Sequence, residues 1–95
     1  MAGYLIANLD ITDPAKYDDY RQQVGKVVAQ YGGRFLVRGG EMKVLEGKPA
    51  VKRLVVLEFP TVAAAQKFYD SPEYRPLIPL RKASTVSTVF LVEGA

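Results

Sequence analysis

A chain of 95 residues, 48% hydrophobic and 24% charged, has ordinary globular composition, and its length suits one small domain, taken as residues 1–95. It contains neither cysteine nor histidine, which excludes disulfides, thiolate chemistry, an imidazole general base and histidine-ligated metal or haem, so no metal and no cofactor is expected. The net charge of +3 comes from 13 basic against 10 acidic residues, and the densest basic clusters, Lys52-Arg53 and Arg81-Lys82, are too short for a nucleic-acid or membrane tail.

The first ten residues carry no basic segment and reach a charge at Asp10, unlike a signal peptide. No apolar run approaches the ~20 residues of a membrane span. A cytoplasmic location without a membrane partner is the expectation.

Residues 4–11 (YLIANLDI) read as a strand with a wholly apolar face, Leu5, Ala7, Leu9 and Ile11, and a mixed one, Tyr4, Ile6, Asn8 and Asp10. Asp13-Pro14 opens a helix, as N-cap and first helical residue. Tyr17, Tyr20, Val24, Val27, Val28 and Tyr31 fall on one stripe of it. Gly32-Gly33 ends the helix, because glycine accepts the left-handed conformation found there. Residues 34–38 (RFLVR) read as a second strand, interrupted by Gly39-Gly40 as a bulge and continued by 42–46 (MKVLE). A turn at Gly47-Lys48-Pro49-Ala50 leads into a third strand over 51–59 (VKRLVVLEF). Thr61 caps a second helix through Phe68 and Tyr69, stopped by Ser71-Pro72. Pro76 and Pro79 predict an irregular stretch over 72–83, with a broken short helix as one form of it, and 86–92 (VSTVFLV) is the last strand.

This order predicts an α+β fold of the ferredoxin-like βαββαβ type. A four-stranded antiparallel sheet would carry two helices on one face, since right-handed crossovers place both on the same side. The third strand is apolar on both sides, with Leu54 and Val56 on one and Val55, Leu57 and Phe59 on the other. A sheet with one face in water alternates more cleanly, so a second copy of the chain is expected to cover the bare face as a homodimer.

Three segments carry a resemblance: Asp13-Pro14-x-x-Tyr17-x-x-Tyr20, then Tyr31 through Gly40 (YGGRFLVRGG), then Phe68-Tyr69-x-Ser71-Pro72-Glu73-Tyr74-x-Pro76-Leu77. Together they resemble the family labelled domain of unknown function 1330, within the dimeric α+β barrel superfamily, over nearly the whole chain. The resemblance implies a ferredoxin-like monomer and a dimer whose two sheets face each other as a barrel. It implies no particular reaction. Relatives in the wider superfamily include cofactor-free monooxygenases, muconolactone isomerases and haem enzymes, and fold-level analogy of that kind carries little about function.

Two groups of residues are candidates for a site. If Glu46 pairs with Val51 across the turn and the glycines add one bulge residue, Arg38 lies opposite Glu58. A half-buried Arg–Glu pair can anchor a carboxylate or enolate, and the alternative is a structural ion pair at the sheet edge. Tyr69, Tyr74, Arg75 and Arg81 follow the second helix, where tyrosine hydroxyls and an arginine could rim a pocket; the alternative is that the tyrosine packs and the arginines are solvated or hold the dimer. Tyr17, Tyr20 and Tyr31 are read as core. Asp18 and Asp19 point about 100° apart on their helix and form no pair.

RNA-recognition domains share this element order, but their first-strand spacing fails here and the third strand lacks internal aromatics and glycines, so no nucleic-acid partner is expected. The reading is a cofactor-independent enzyme, or a binder, of a small apolar or anionic metabolite. Arg38, Glu58, Tyr69, Tyr74 and Arg81 are its candidate site residues. The alternative is a non-catalytic structural or stress-associated dimer with a filled interior.

Overall fold

The computed structural model describes residues 1–95. Alternation at the start of the chain resolves into strand β1 (Gly3–Ile11), with Leu5, Ala7 and Leu9 buried on one side. Helix α1 (Pro14–Gln30) follows. Asp13 accepts a hydrogen bond from the Lys16 N–H at 3.2 Å, and Pro14 fills the first turn, where its missing donor is not needed. The helix lays Tyr17, Tyr20, Val24, Val27 and Val28 into the interior. It stops where Gly32 adopts a φ of +79°, and the Gly33 N–H closes back on the Val28 carbonyl at 2.9 Å.

Strand β2 (Arg34–Arg38) and strand β3 (Arg53–Phe59) come next, then helix α2 (Val62–Tyr69), capped by the Thr61 hydroxyl accepting from the Ala64 N–H at 3.0 Å. The sheet order is β2-β3-β1-β4, where β4 spans Thr85–Glu93, and every neighbouring pair is antiparallel. This is the expected ferredoxin-like order. Val55, Leu57 and Phe59 of β3 join Leu5, Ala7 and Leu9 against the helices, and Phe59, Phe68 and Val28 are almost completely sealed.

Two expectations need correction. Residues 72–83 take the broken-helix form, a short 3-10 turn (Arg75–Leu77) that runs into a helix, α3 (Ile78–Ser84), so the sheet carries three helices rather than two. The Ser71 hydroxyl accepts from the Tyr74 N–H at 3.1 Å and the Ser71 carbonyl from the Arg75 N–H at 3.0 Å, which starts the turn. Pro76 and Pro79 each fall in the first turn of their helix, where proline is tolerated. The end of α3 is tied down because the Ser84 carbonyl accepts from the N–H groups of Thr12 and Asp13 at 2.8 and 3.2 Å.

The second correction concerns the β2–β3 connection. Residues 42–46 form no strand, β3 begins at Arg53 rather than residue 51, and the irregularity lies between Phe35 and Val37 rather than at the glycines. The register therefore pairs Arg34 with Glu58 and Arg38 with Val55. Val55 is buried on the helix side, so Arg38 and Glu58 sit on opposite faces of the sheet and do not pair. The long connection has no tight turn to fix the register from the sequence.

The face away from the helices carries a broad apolar patch beside the Arg34–Glu58 pair. Ile6, Leu54 and Val56 are half-buried there, and Val37, Val86, Phe90 and Val92 are exposed, Val86 at 69% and Phe90 at 50%.

Gly33 marks a close approach: a Cβ there would stand 2.5 Å from the ring of Phe59, which is 1% exposed and cannot yield. Gly33→Ala should destabilise the fold by about 1–3 kcal/mol, the usual cost of overpacking. Urea unfolding checks this as a lower midpoint at unchanged slope. Gly40→Ala, whose Cβ would meet nothing within 4 Å, is the near-neutral control.

Candidate functional site

A cavity of about 40 Å³ lies between the sheet and the helices. At ~10–15 Å³ of such volume per water, it has room for a few water molecules or one carboxylate-sized group. Eleven of its 14 lining residues are hydrophobic, so the few polar groups there are conspicuous. Ala7 of β1 leaves space in the floor, Tyr17 and Tyr20 come from α1, Tyr74 from the turn after α2, and Arg81 from α3. Arg21 and Arg38, both exposed, line the solvent side.

Arg81 is 4% exposed, and no carboxylate lies within 4 Å of it. A buried cation is ordinarily paired. Here one Nη donates to the Tyr74 hydroxyl at 3.2 Å, and the Tyr74 hydroxyl shares a 2.8 Å hydrogen bond with that of Tyr20. The Arg81 Nε–H is buried without an acceptor. The Tyr69 ring stands 6.0 Å from the guanidinium carbon, within cation–π range. Burial opposes the Arg81 charge, but the oxygens of Tyr74, Tyr69 and Tyr20 together outweigh it and hold the pKa above its usual value.

Burial, reinforced by the neighbouring Tyr74, pushes the Tyr20 hydroxyl far above the normal phenol range. Burial also raises Tyr74, although its hydrogen bond with Tyr20 and the charge of Arg81 pull it partly back. Both phenols are therefore neutral donors at physiological pH. A second arginine supports the same wall: the Arg53 Nε donates to the Tyr17 hydroxyl at 3.2 Å.

The candidates from sequence thus divide. Tyr74, Arg81 and Arg38 line one cavity, with Tyr69 behind Arg81. Glu58 is on the other face, bound by the Arg34 Nε at 2.7 Å and by the Tyr4 hydroxyl at 3.4 Å. Because the Arg34 side chain is 71% exposed, that pair is a surface ion pair worth ~0–1 kcal/mol. Arg75 is solvated, 3.8 Å from Asp70. Arg38 stacks on the Phe35 ring at 4.0 Å. The cavity has no carboxylate in its lining, and no three acidic side chains gather anywhere to hold a metal.

The sequence pattern places Tyr20 only in the core. It is core, at 8% exposure, but its hydroxyl is part of the site. The available signal was chemical: a tyrosine on an apolar helical stripe needs a partner for its buried hydroxyl. That partner lies 54 residues away in sequence.

The raised phenols predict alkaline sensitivity. A tyrosine in the unfolded chain loses its proton near pH 10, whereas Tyr20 and Tyr74 in the fold keep theirs to higher pH. Above pH ~10 the folded state then binds more protons than the unfolded one, and stability falls by about 1.4 kcal/mol per pH unit for each such group. Denaturation at pH 9 to 12 should show this decline, with a shallower slope for Tyr20→Phe. Phenolate absorbance should show two tyrosines that titrate only on unfolding.

Three solved structures share the fold. A protein of unknown function from Rhodopseudomonas palustris superposes with a TM-score of 0.79 at 19% identity, over 99% of this chain and 82% of that one. A dimeric ferredoxin-like protein of unknown function from Jannaschia sp. CCS1 gives 0.67 at 15%, over 99% and 100%. SnoaB, a cofactor-independent oxygenase from Streptomyces nogalater, gives 0.65 at 14%, over 99% and 93%. At these identities the likeness is one of fold. No functionally curated protein matches the sequence. The family model described as Domain of unknown function (DUF1330) matches residues 2–95, and the chain belongs to that family.

Proposed function

We propose that this chain, acting as a single domain, forms a homodimer that binds a small, largely apolar metabolite in the cavity between sheet and helices. The observation that carries the reading is the cavity itself, an apolar space in the core onto which tyrosine hydroxyls and a buried arginine converge. Few polar groups set in an apolar lining are the usual composition of a small-molecule site, where they fix the ligand's orientation.

The alternative of a structural dimer with a filled interior accounts poorly for a buried cation that no fold contact neutralises. Cofactor-independent catalysis, as named for SnoaB, is compatible with this lining in one form. With Glu58 on the far face and no carboxylate in the cavity, the site has donors but no side-chain base. Binding, or catalysis on a substrate that brings its own base, fits better than proton abstraction by Glu58.

The dimer reading rests on the open sheet face. Four strands of about seven residues span roughly 19 by 25 Å, a footprint near 500 Å², and specific interfaces bury ~800 Å² per partner. Met42, Val44 and Leu45, exposed in the β2–β3 connection at 44%, 56% and 84%, would contribute the remainder. The dimeric ferredoxin-like neighbours support the same assembly. Nucleic acid is a poor fit to that face, because β3 presents Leu54, Val56 and Glu58 there instead of stacking aromatics.

Two measurements test these readings. Light scattering should report twice the 10.5 kDa chain mass, and Phe90→Asp should yield monomer; a monomeric wild type would contradict the dimer. A ligand-observed NMR fragment screen should give hits that Ala7→Leu abolishes by filling the cavity while remaining folded. Fragments that bind both proteins equally would place binding elsewhere and overturn the pocket reading.

A further inference from the structure

The cavity holds unused hydrogen-bond donors and no negative charge. Arg81 Nε–H has no acceptor. Tyr20 and Tyr74 share one hydrogen bond between two hydroxyls, so one of their two protons is engaged and the other is free. Tyr17 accepts from Arg53, which leaves its own proton unassigned as well. Against these stands one fixed positive charge, Arg81, at 4% exposure. Arg21 and Arg38 add positive potential on the solvent side, and only Arg21 has a carboxylate partner, Asp18.

Stranded buried donors and an unneutralised cation are costly, and a ligand that only accepts hydrogen bonds and carries negative charge removes both costs at once. A neutral amide or alcohol brings donors of its own and no charge. The volume of about 40 Å³ fits the head of such a ligand, and Val24 and Phe35 are among the apolar residues that line it.

We propose that the cavity, on the pocket reading above, takes the carboxylate of a small apolar monocarboxylic acid. The Arg81 guanidinium neutralises it, and Tyr17 and the Tyr20–Tyr74 pair donate hydrogen bonds. Tyr74 serves as a positioning residue, because it accepts from Arg81 and links that side chain to Tyr20.

The discriminating probes are benzoate and its neutral isostere benzamide, with acetate as the minimal head group. Each is titrated into the full-length protein by calorimetry in a buffer free of carboxylate and phosphate. Benzoate should bind on the order of 10- to 100-fold more tightly than benzamide, the ratio expected for charge-assisted hydrogen bonds. Arg81→Met should erase that preference, and Tyr20→Phe should weaken benzoate more than benzamide, since a hydrogen bond to the charged carboxylate is the stronger one.

Equal affinity for benzoate and benzamide overturns the carboxylate inference while the pocket stands. Neutral fragments that occupy the cavity while benzoate and acetate do not bind overturn it in the same way. If no probe of either kind binds, the pocket reading fails with it.

Discussion

Two side-chain-to-side-chain hydrogen bonds are fully buried in this molecule, and they form one chain from Arg81 through Tyr74 to Tyr20. That chain is the buried side-chain connection within the helical layer. It joins α1 to the turn after α2 and both to α3, three segments otherwise held by apolar packing and, at their ends, by the Tyr31–Glu73 hydrogen bond and by the Thr12 and Asp13 N–H groups on the Ser84 carbonyl. The same arginine organises its own surroundings: its carbonyl accepts from the hydroxyls of Ser84 and Thr85, at the point where α3 gives way to β4. Around it the aromatic rings of Phe59, Phe68, Tyr69 and Tyr74 stack with centroid separations of 4.6 to 5.6 Å. A charge in this environment is tolerated because phenolic oxygens face it, yet it is not neutralised. The helical layer therefore closes around a polar centre that the fold leaves incomplete.

The sheet imposes the second constraint. Its central strand β3 is largely apolar on both sides, and one set of helices can cover only one of them. The helix side becomes the core and, where Ala7 leaves room, the cavity. The other side keeps Phe90, Val86 and Val92 in solvent, an arrangement that a monomer has little reason to maintain. The proposed assembly surface and the proposed ligand site thus lie on opposite faces of one sheet. This separation also explains why Arg38 and Glu58 cannot cooperate: a strand places successive side chains on alternate faces, and these two fall on different ones.

What the sequence made legible was local. The parity of β1, the caps at Asp13 and Thr61 and the glycine stop at Gly32 each follow from a residue acting on its immediate neighbours, and all are found as expected. The register of β2 on β3 was not legible, because it depends on an irregularity at Leu36 and on a 14-residue connection that no turn chemistry fixes. Helix α3 was hidden by Pro76 and Pro79, which read as breakers until their positions in first turns are known. Arg81 and Tyr74 could be singled out by their type and clustering. Their burial, and the role of Tyr20, depend on packing between segments more than fifty residues apart.

The claim at the centre of this account is that the Arg81 Nε–H lacks an acceptor in the protein and gains one from a carboxylate. That proton can be observed directly by nitrogen-15 NMR, with its resonance assigned by its loss in Arg81→Lys. Addition of benzoate should move the Arg81 Nε–H resonance downfield and slow its exchange with water, while those of Arg34, on the far face of the sheet, and the solvated Arg75 stay in place. An Arg81 signal that benzoate leaves unchanged, while the protein remains folded, would contradict the account.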